Sequence, residues 1–300
     1  MEPSEAMQVN VVKPLEDGDF RYARTLCDVH DQWQLVYEKK ATRVWTKPMS
    51  DSNLHMIKAR SEFPDVSAET AYDVLQDADY RHKWDKYMLS TVPIGYLNPN
   101  NDICYYSLGS IPPFRSRDFV MQRSWLDTGR EKFIVGHSVW HDRSNEYNNL
   151  RSVFSFSNWF KKFPPNKTHI RGTIHLTVYF VRALNSGGCQ LSYVTFSDPR
   201  GKLPSWFINR LTKLIAPKLF KKLHKACLNY PDWKRSHRPN WKPWLFPEIQ
   251  PDYPKIDLGQ CRPPSGIEQP IVDETQVSEN SAVASKLYNG STLDEEDNSD

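Results

Sequence analysis

The run from Met88 to Phe196 constrains this chain most. Short stretches of strand-forming residues are separated there by turn signals: LNPNND at 97–102, IPPFRS at 111–116, DTG at 127–129 and NSGG at 185–188. Pro, Gly, Asn and Asp supply the backbone angles that such turns need. Connections this short join antiparallel neighbours, because a parallel pair needs a crossover of about a dozen residues or more. The run therefore predicts one antiparallel sheet. At 39% apolar and 13% aromatic over 300 residues, the chain can bury a sizeable core in one large domain or two small ones.

Helical patterns bracket the strands. Phe20, Ala23, Leu26 and Cys27 stand at helical spacing behind the capping candidates Asp17 and Asp19, predicting a helix over 17–30. Trp33, Leu35 and Tyr37 alternate with polar residues, as do Leu54 and Met56. Pro64 and Ser67 announce a helix that turns Ala71, Val74 and Leu75 inward. A second short helix is predicted for YRHKWD, Tyr80 to Asp85. After Pro204 a long helix runs to about Asn229, with a kink expected near Lys213 to Ala216 because Pro217 removes a backbone donor. This order suits an α+β domain in which a curved sheet buries one side of the last helix. Residues 1–16 read as a flexible leader. Residues 246–300, rich in Pro and then acidic, read as a disordered tail.

Several classes are disfavoured. MEPSEAMQVN has no basic segment before an apolar run, so a secretory signal is not expected. The most apolar stretch, Ile174 to Val181, is too short to span a bilayer. A soluble, cytoplasmic protein is the expectation. The five cysteines form no CxxC pair, and an odd number suits reduced thiols. His141, His169 and His175 lack metal-ligand spacing, so no zinc and no cofactor are expected. No nucleophile elbow, phosphate loop or HExxH occurs, so no enzyme is predicted.

Four motifs carry chemistry. Arg81 and Asp85, four apart on a helix, can pair on one face. Spacing alone favours a solvated pair of little worth. Their neighbours Tyr80 and Trp84 leave burial open, and a buried Arg would need a carboxylate while keeping donors for a phosphate. In the long helix, Trp206, Phe207 and Leu211 sit among Lys218, Lys221 and Lys222. Either this is a core helix with a solvated basic face, or a lid that also touches anionic membrane. Between Arg210 and Lys242 there are ten bases and one acid, and from Glu268 to Asp300 nine acids and one base. WKRSHRPNWKPW (233–244) interleaves bases with Trp. That pattern can bind single-stranded nucleic acid, though packing back onto the domain is the favoured reading and no nucleic-acid partner is expected. Ser291 and Thr292 each precede an acid by three residues, Asp294 and Glu295, as an acidophilic kinase requires.

VSAETAYDVLQDADYRHKWD (66–85), CYYSLGSIPPFRSRDFVMQRSW (104–125), SDPRGKLPSWFIN (197–209) and APKLFKKLHKACLNYPDWKRSHRPNWKPWL (216–245) resemble the START family, phosphatidylcholine-transfer subgroup. The resemblance covers about residues 17–245. It implies a helix-grip fold: about nine antiparallel strands closed by the C-terminal helix around a lipid cavity. It further implies a monomeric carrier of one glycerophospholipid, phosphatidylcholine and/or phosphatidylethanolamine, in transient contact with membranes. A lipid-sensing scaffold is the alternative. Arg81 and Asp85 match the family's phosphate-binding pair. The choline-facing aromatics fall on Tyr106, Phe119 and His175, and a His is a poor cage wall, which suits a relaxed headgroup site. Residues 142–162 are an insertion relative to the family.

Overall fold

The computed structural model describes residues 4–49, 52–110, 114–141, 169–201, 203–204, 206, 216–250, 253–262 and 272–278. The first helix, α1, spans Asp17–Asp28 behind a capping box: Glu16 is the N-cap, and its N–H donates to Asp19 Oδ2 at 2.8 Å. Strands β1 (Gln34–Lys39), β2 (Thr42–Met49) and β3 (Ser52–Phe63) follow as a meander. Helix α2 (Ala68–Gln76) starts on Ser67, whose Oγ accepts from Thr70 N at 3.1 Å. The predicted second short helix is a 3-10 turn, Arg81–Lys83, after which Asp85 N still reaches back to Arg81 O at 3.0 Å.

Strands β4 (Met88–Asn98), β5 (Asn101–Leu108), β6 (Ser116–Asp127) and β7 (Glu131–Ser138) come next. They are followed by β8 (His169–Arg171), β9 (Thr173–Ala183) and β10 (Cys189–Asp198). Nine of the ten form one antiparallel path, β1-β2-β3-β10-β9-β7-β6-β5-β4, that is not closed into a barrel. The short β8 departs from the expectation by pairing parallel with β6. Its Arg171 holds it there, donating to both oxygens of the fully buried Asp118 at 2.8 and 3.1 Å.

Alternation along the strands sorts the side chains onto two faces. On β9, Leu176, Val178 and Phe180 meet α1 through Phe20, Ala23 and Cys27. Tyr179 and Val181 point the other way, toward α2 and the final helix, α3 (Ala216–Ser236). The α1 C-terminus is closed by a buried Lys58, which donates to the carbonyls of Leu26 and Val29 at 2.9 and 2.6 Å.

Helix α3 continues past the predicted end at Asn229 and through Pro231. Its last turns are held by tertiary bonds: Tyr230 Oη and Lys234 Nζ both donate to Asp77 Oδ2, at 2.9 and 2.7 Å. The expected kink before Pro217 falls largely outside the described residues.

α1 covers the outer face of only half the sheet. Over β4, β5 and β6 that face presents Ile94, Ile103, Tyr105 and Val120, and the covering comes from segments read as loose. From the leader, Val12 packs on that face, while Ala6, Met7 and Leu15 are buried with α1, and the Val11 carbonyl accepts from His137 Nε2 at 2.8 Å. From the tail, Ile256 and Cys261 pack on the β4–β6 face. The tail backbone bridges to β4, with Tyr96 N donating to Pro254 O at 3.1 Å and Ile256 N to Tyr96 O at 2.8 Å. Disorder therefore does not hold for residues 253–262 and 272–278, nor a loose leader for 4–16. Their few apolar groups fill a face the sheet would otherwise expose to water.

Candidate functional site

Between the inner face of the sheet and helices α2 and α3 lies a cavity of about 490 Å³, a size usual for small-molecule sites. Ile57, Leu75, Phe119, Met121, Ile134 and Ile174 give it mostly apolar walls. Strand register places the aromatic groups. Tyr106 on β5 and Phe119 on β6 are cross-strand partners and share the inner face. Tyr179 on β9 faces Tyr193 on β10, with ring centroids 4.6 Å apart.

The polar end is built by the turn after α2. Arg81 Nε donates to Asp85 Oδ2 at 3.0 Å, and Nη2 stands at 3.0 Å from the same oxygen. Tyr106 donates its hydroxyl to that oxygen at 2.7 Å. The guanidinium lies 4.1 Å over the Trp84 ring and 5.7 Å from that of Tyr106. The Arg81 side chain is 20% exposed and Asp85 9%, and both line the cavity. Burial opposes the Arg81 charge, but the oxygens of Tyr179, Tyr106 and Asp85 outweigh it and push the pKa up. The guanidinium stays charged. Burial raises the Tyr106 phenol well above its ordinary value, so it stays a donor. The Trp84 indole N–H is buried without a partner, alone in this among the described side chains.

The remaining predicted residues divide. Tyr106, Phe119 and Trp84 line the cavity. His175 does not: β9 bulges there, since Leu176 pairs with Phe196 and Ile174 with Ser197. The bulge turns Ile174 to the cavity while His175 stacks on Phe196 at 4.5 Å. Tyr80 is also absent from the wall. It packs on Tyr230 and Trp233, and its hydroxyl donates to Ala226 O at 2.9 Å, anchoring α3. Trp206 donates its indole N–H to Val277 O at 3.1 Å. Lys218 and Lys222 are exposed and contribute to the cavity wall, with Lys221 exposed beside them. Phe207, Leu211, Ser291, Thr292 and the insertion 142–162 lie outside the described residues.

The Trp-rich basic segment is spent on the fold. Lys234 bonds Asp77, while Lys242 and Trp244 Nε1 bond Asp73 at 2.6 and 2.8 Å. Those contacts compete directly with the nucleic-acid reading of 233–244.

Sequence reasoning missed a second ion pair, one member of which, Arg123, lines the wall. Arg123 Nε and Nη2 donate to Asp102 Oδ1 and Oδ2 at 2.9 and 2.5 Å. The two residues are partners in the β5–β6 register, so the signal exists only once that register is known. Arg117, also in the wall, was missed for the same reason.

The START domain model matches residues 23–156 and 151–234. The chain belongs to the START domain family. It is 37% identical to mouse START domain-containing protein 10 over 265 residues, 88% of this chain and 84% of that protein. It is 26% identical to mouse phosphatidylcholine transfer protein over 202 residues, 66% and 85% of the two chains. The crystal structure of human STARD10 superposes with a TM-score of 0.72 at 38% identity, covering 83% of this START chain and 94% of that one. Human StAR-related lipid transfer protein 5 shares the fold, with a TM-score of 0.59 at 15% identity. No helix of this START domain, among the described residues, is long and apolar enough to cross a membrane.

Proposed function

We propose that the chain is a non-enzymatic cytoplasmic carrier. It holds one glycerophospholipid, phosphatidylcholine and/or phosphatidylethanolamine, and moves it between membranes. A charged Arg81–Asp85 pair on the wall of a mostly apolar cavity, held by its own turn and by Tyr106, carries this reading. The similarity to START domain-containing protein 10 and to phosphatidylcholine transfer protein supports it.

Two acyl chains of about sixteen carbons expose roughly 30 methylenes, so transit through water costs on the order of 20 kcal/mol. Apolar walls remove most of that cost. A phosphate needs a charge-assisted donor in such a place, and Arg81 commits only part of its guanidinium fork to Asp85. Asp85 balances the Arg81 charge before lipid enters. The unpartnered Trp84 indole N–H stands beside the pair as a further donor. Tyr106 and Phe119 supply rings near the headgroup, but His175 is turned away. An incomplete aromatic cage suits ethanolamine as well as choline. The exposed Lys218, Lys221 and Lys222 give α3 a basic face for transient docking on anionic membrane.

Native mass spectrometry of the purified chain tests the ligand, with one copurified phosphatidylcholine or phosphatidylethanolamine expected. Arg81→Ala is expected to abolish transfer between vesicles with the circular-dichroism spectrum unchanged. Transfer at the unsubstituted rate by that variant removes the site assignment.

A further inference from the structure

Arg117 on β6 is buried, and three backbone carbonyls orient it. Nη1 donates to Arg115 O at 2.6 Å, Nε to Pro199 O at 3.2 Å and Nη2 to Arg200 O at 3.4 Å. Carbonyls fix direction but do not neutralise charge, so this guanidinium calls for an anion. The anion it has comes from the tail, 157 residues on: Glu274 Oε2 pairs with Nη2, while Glu274 Oε1 accepts from Arg115 N at 2.9 Å. The loop behind is shaped for this approach. Arg200 sits at φ +54° and Gly201 at φ +80°, and a Cβ on Gly201 would lie 2.6 Å from Val272 O. Arg115 and Arg117 also line the cavity, whereas Glu274 does not. Glu274 thus covers the cradle from outside, in a segment whose Asp273, Thr275 and Gln276 are exposed.

We propose that Arg117 and the Arg115 N–H form a second anion-binding site, that Glu274 occupies it as an internal stand-in, and that the headgroup of an anionic membrane phospholipid displaces Glu274 when the protein docks. The ligand class rests on the carrier reading. The geometry supplies the rest: a preoriented guanidinium and a backbone N–H presenting two donors to two oxygens, as a carboxylate or a phosphate requires. Release of residues 272–278 also frees the Trp206 indole, now bonded to Val277 O. The acidic tail then acts as a competitor for membrane.

Flotation with phosphatidylcholine vesicles, with and without phosphatidylserine, is the test. Glu274→Gln is expected to bind the phosphatidylserine vesicles about fivefold more tightly than the unsubstituted chain, the effect of one freed basic group near an anionic surface. Asp31→Asn makes the same charge change in the exposed turn after α1 and is expected to change nothing. Hydrogen exchange at 272–278 in the unsubstituted chain is expected to rise with phosphatidylserine vesicles and not with inorganic phosphate. The proposal is overturned by no gain in Glu274→Gln, by an equal gain in Asp31→Asn or on phosphatidylcholine alone, or by unchanged exchange with phosphatidylserine vesicles. Release by inorganic phosphate makes the cradle a soluble-anion site and overturns the membrane assignment. Neither readout measures transfer, so failure here is distinct from failure of the Arg81 site.

Discussion

Tyr106 and Arg81 converge on one oxygen, Asp85 Oδ2, at 2.7 and 3.0 Å. A strand residue and a turn residue thereby hold the same carboxylate, and the headgroup end of the cavity is set by both. Tyr106→Phe removes one bond and leaves the ring. A loss of about 1 kcal/mol in urea unfolding is expected, with vesicle transfer slowed and not abolished. Unchanged transfer would show that Tyr106 does not position the pair.

Arg123, in the cavity wall, is doubly bonded to Asp102. Asp102→Ala strands a half-buried guanidinium, at an expected cost of about 3 kcal/mol. The double variant Asp102→Leu with Arg123→Met removes both charges and is expected to be more stable than the single one. A double-mutant cycle by urea unfolding checks the order, and a double variant less stable than Asp102→Ala would contradict it.

The tail crosses β4 at Gly95, where an added Cβ would run into the Pro254 carbonyl oxygen. Backbone cannot yield as a flexible side chain can. Gly95→Ala is expected to lift residues 254–256, with loss of their two backbone bonds costing about 2 kcal/mol. It would also uncover Ile103 and Tyr105. A hydrophobic dye should bind the variant more strongly than the unsubstituted protein.

Burial holds the His137 pKa below the ordinary value of 6.5. The unfolded chain takes up this proton near 6.5 and the folded chain only at lower pH. Below about 6.5 the unfolded state binds more protons, so this group's contribution is full at neutral pH and lost on acidification. Unfolding free energy should fall from about pH 7 to about pH 5. His137→Gln keeps a donor for Val11 O and should flatten that slope. An unchanged slope would assign it to other groups.

Much of the fold was legible locally. The turn signals between Met88 and Phe196 marked an antiparallel sheet, and Ser67 marked the start of α2. The Arg81–Asp85 pair was legible because a spacing of four brings both side chains to one turn, even though that turn is 3-10 in character. Its burial was not, because the covering groups Tyr106 and Tyr179 come from other strands. His175 was misplaced because alternation breaks at a bulge that a single strand's sequence does not reveal.

Locally encoded features were therefore determined by the sequence itself: helix caps, turns, the antiparallel meander and an ion pair within one turn. Each depends on residues a few positions apart, whose geometry the backbone sets. Tertiary structure decided what depends on distant partners: the Arg123–Asp102 pairing across a register, the inward face of each strand, and the docking of the leader and part of the tail. Those segments carry too few apolar residues to signal order by composition. They are ordered because the sheet leaves a matching apolar face uncovered, and water is excluded only when the two meet.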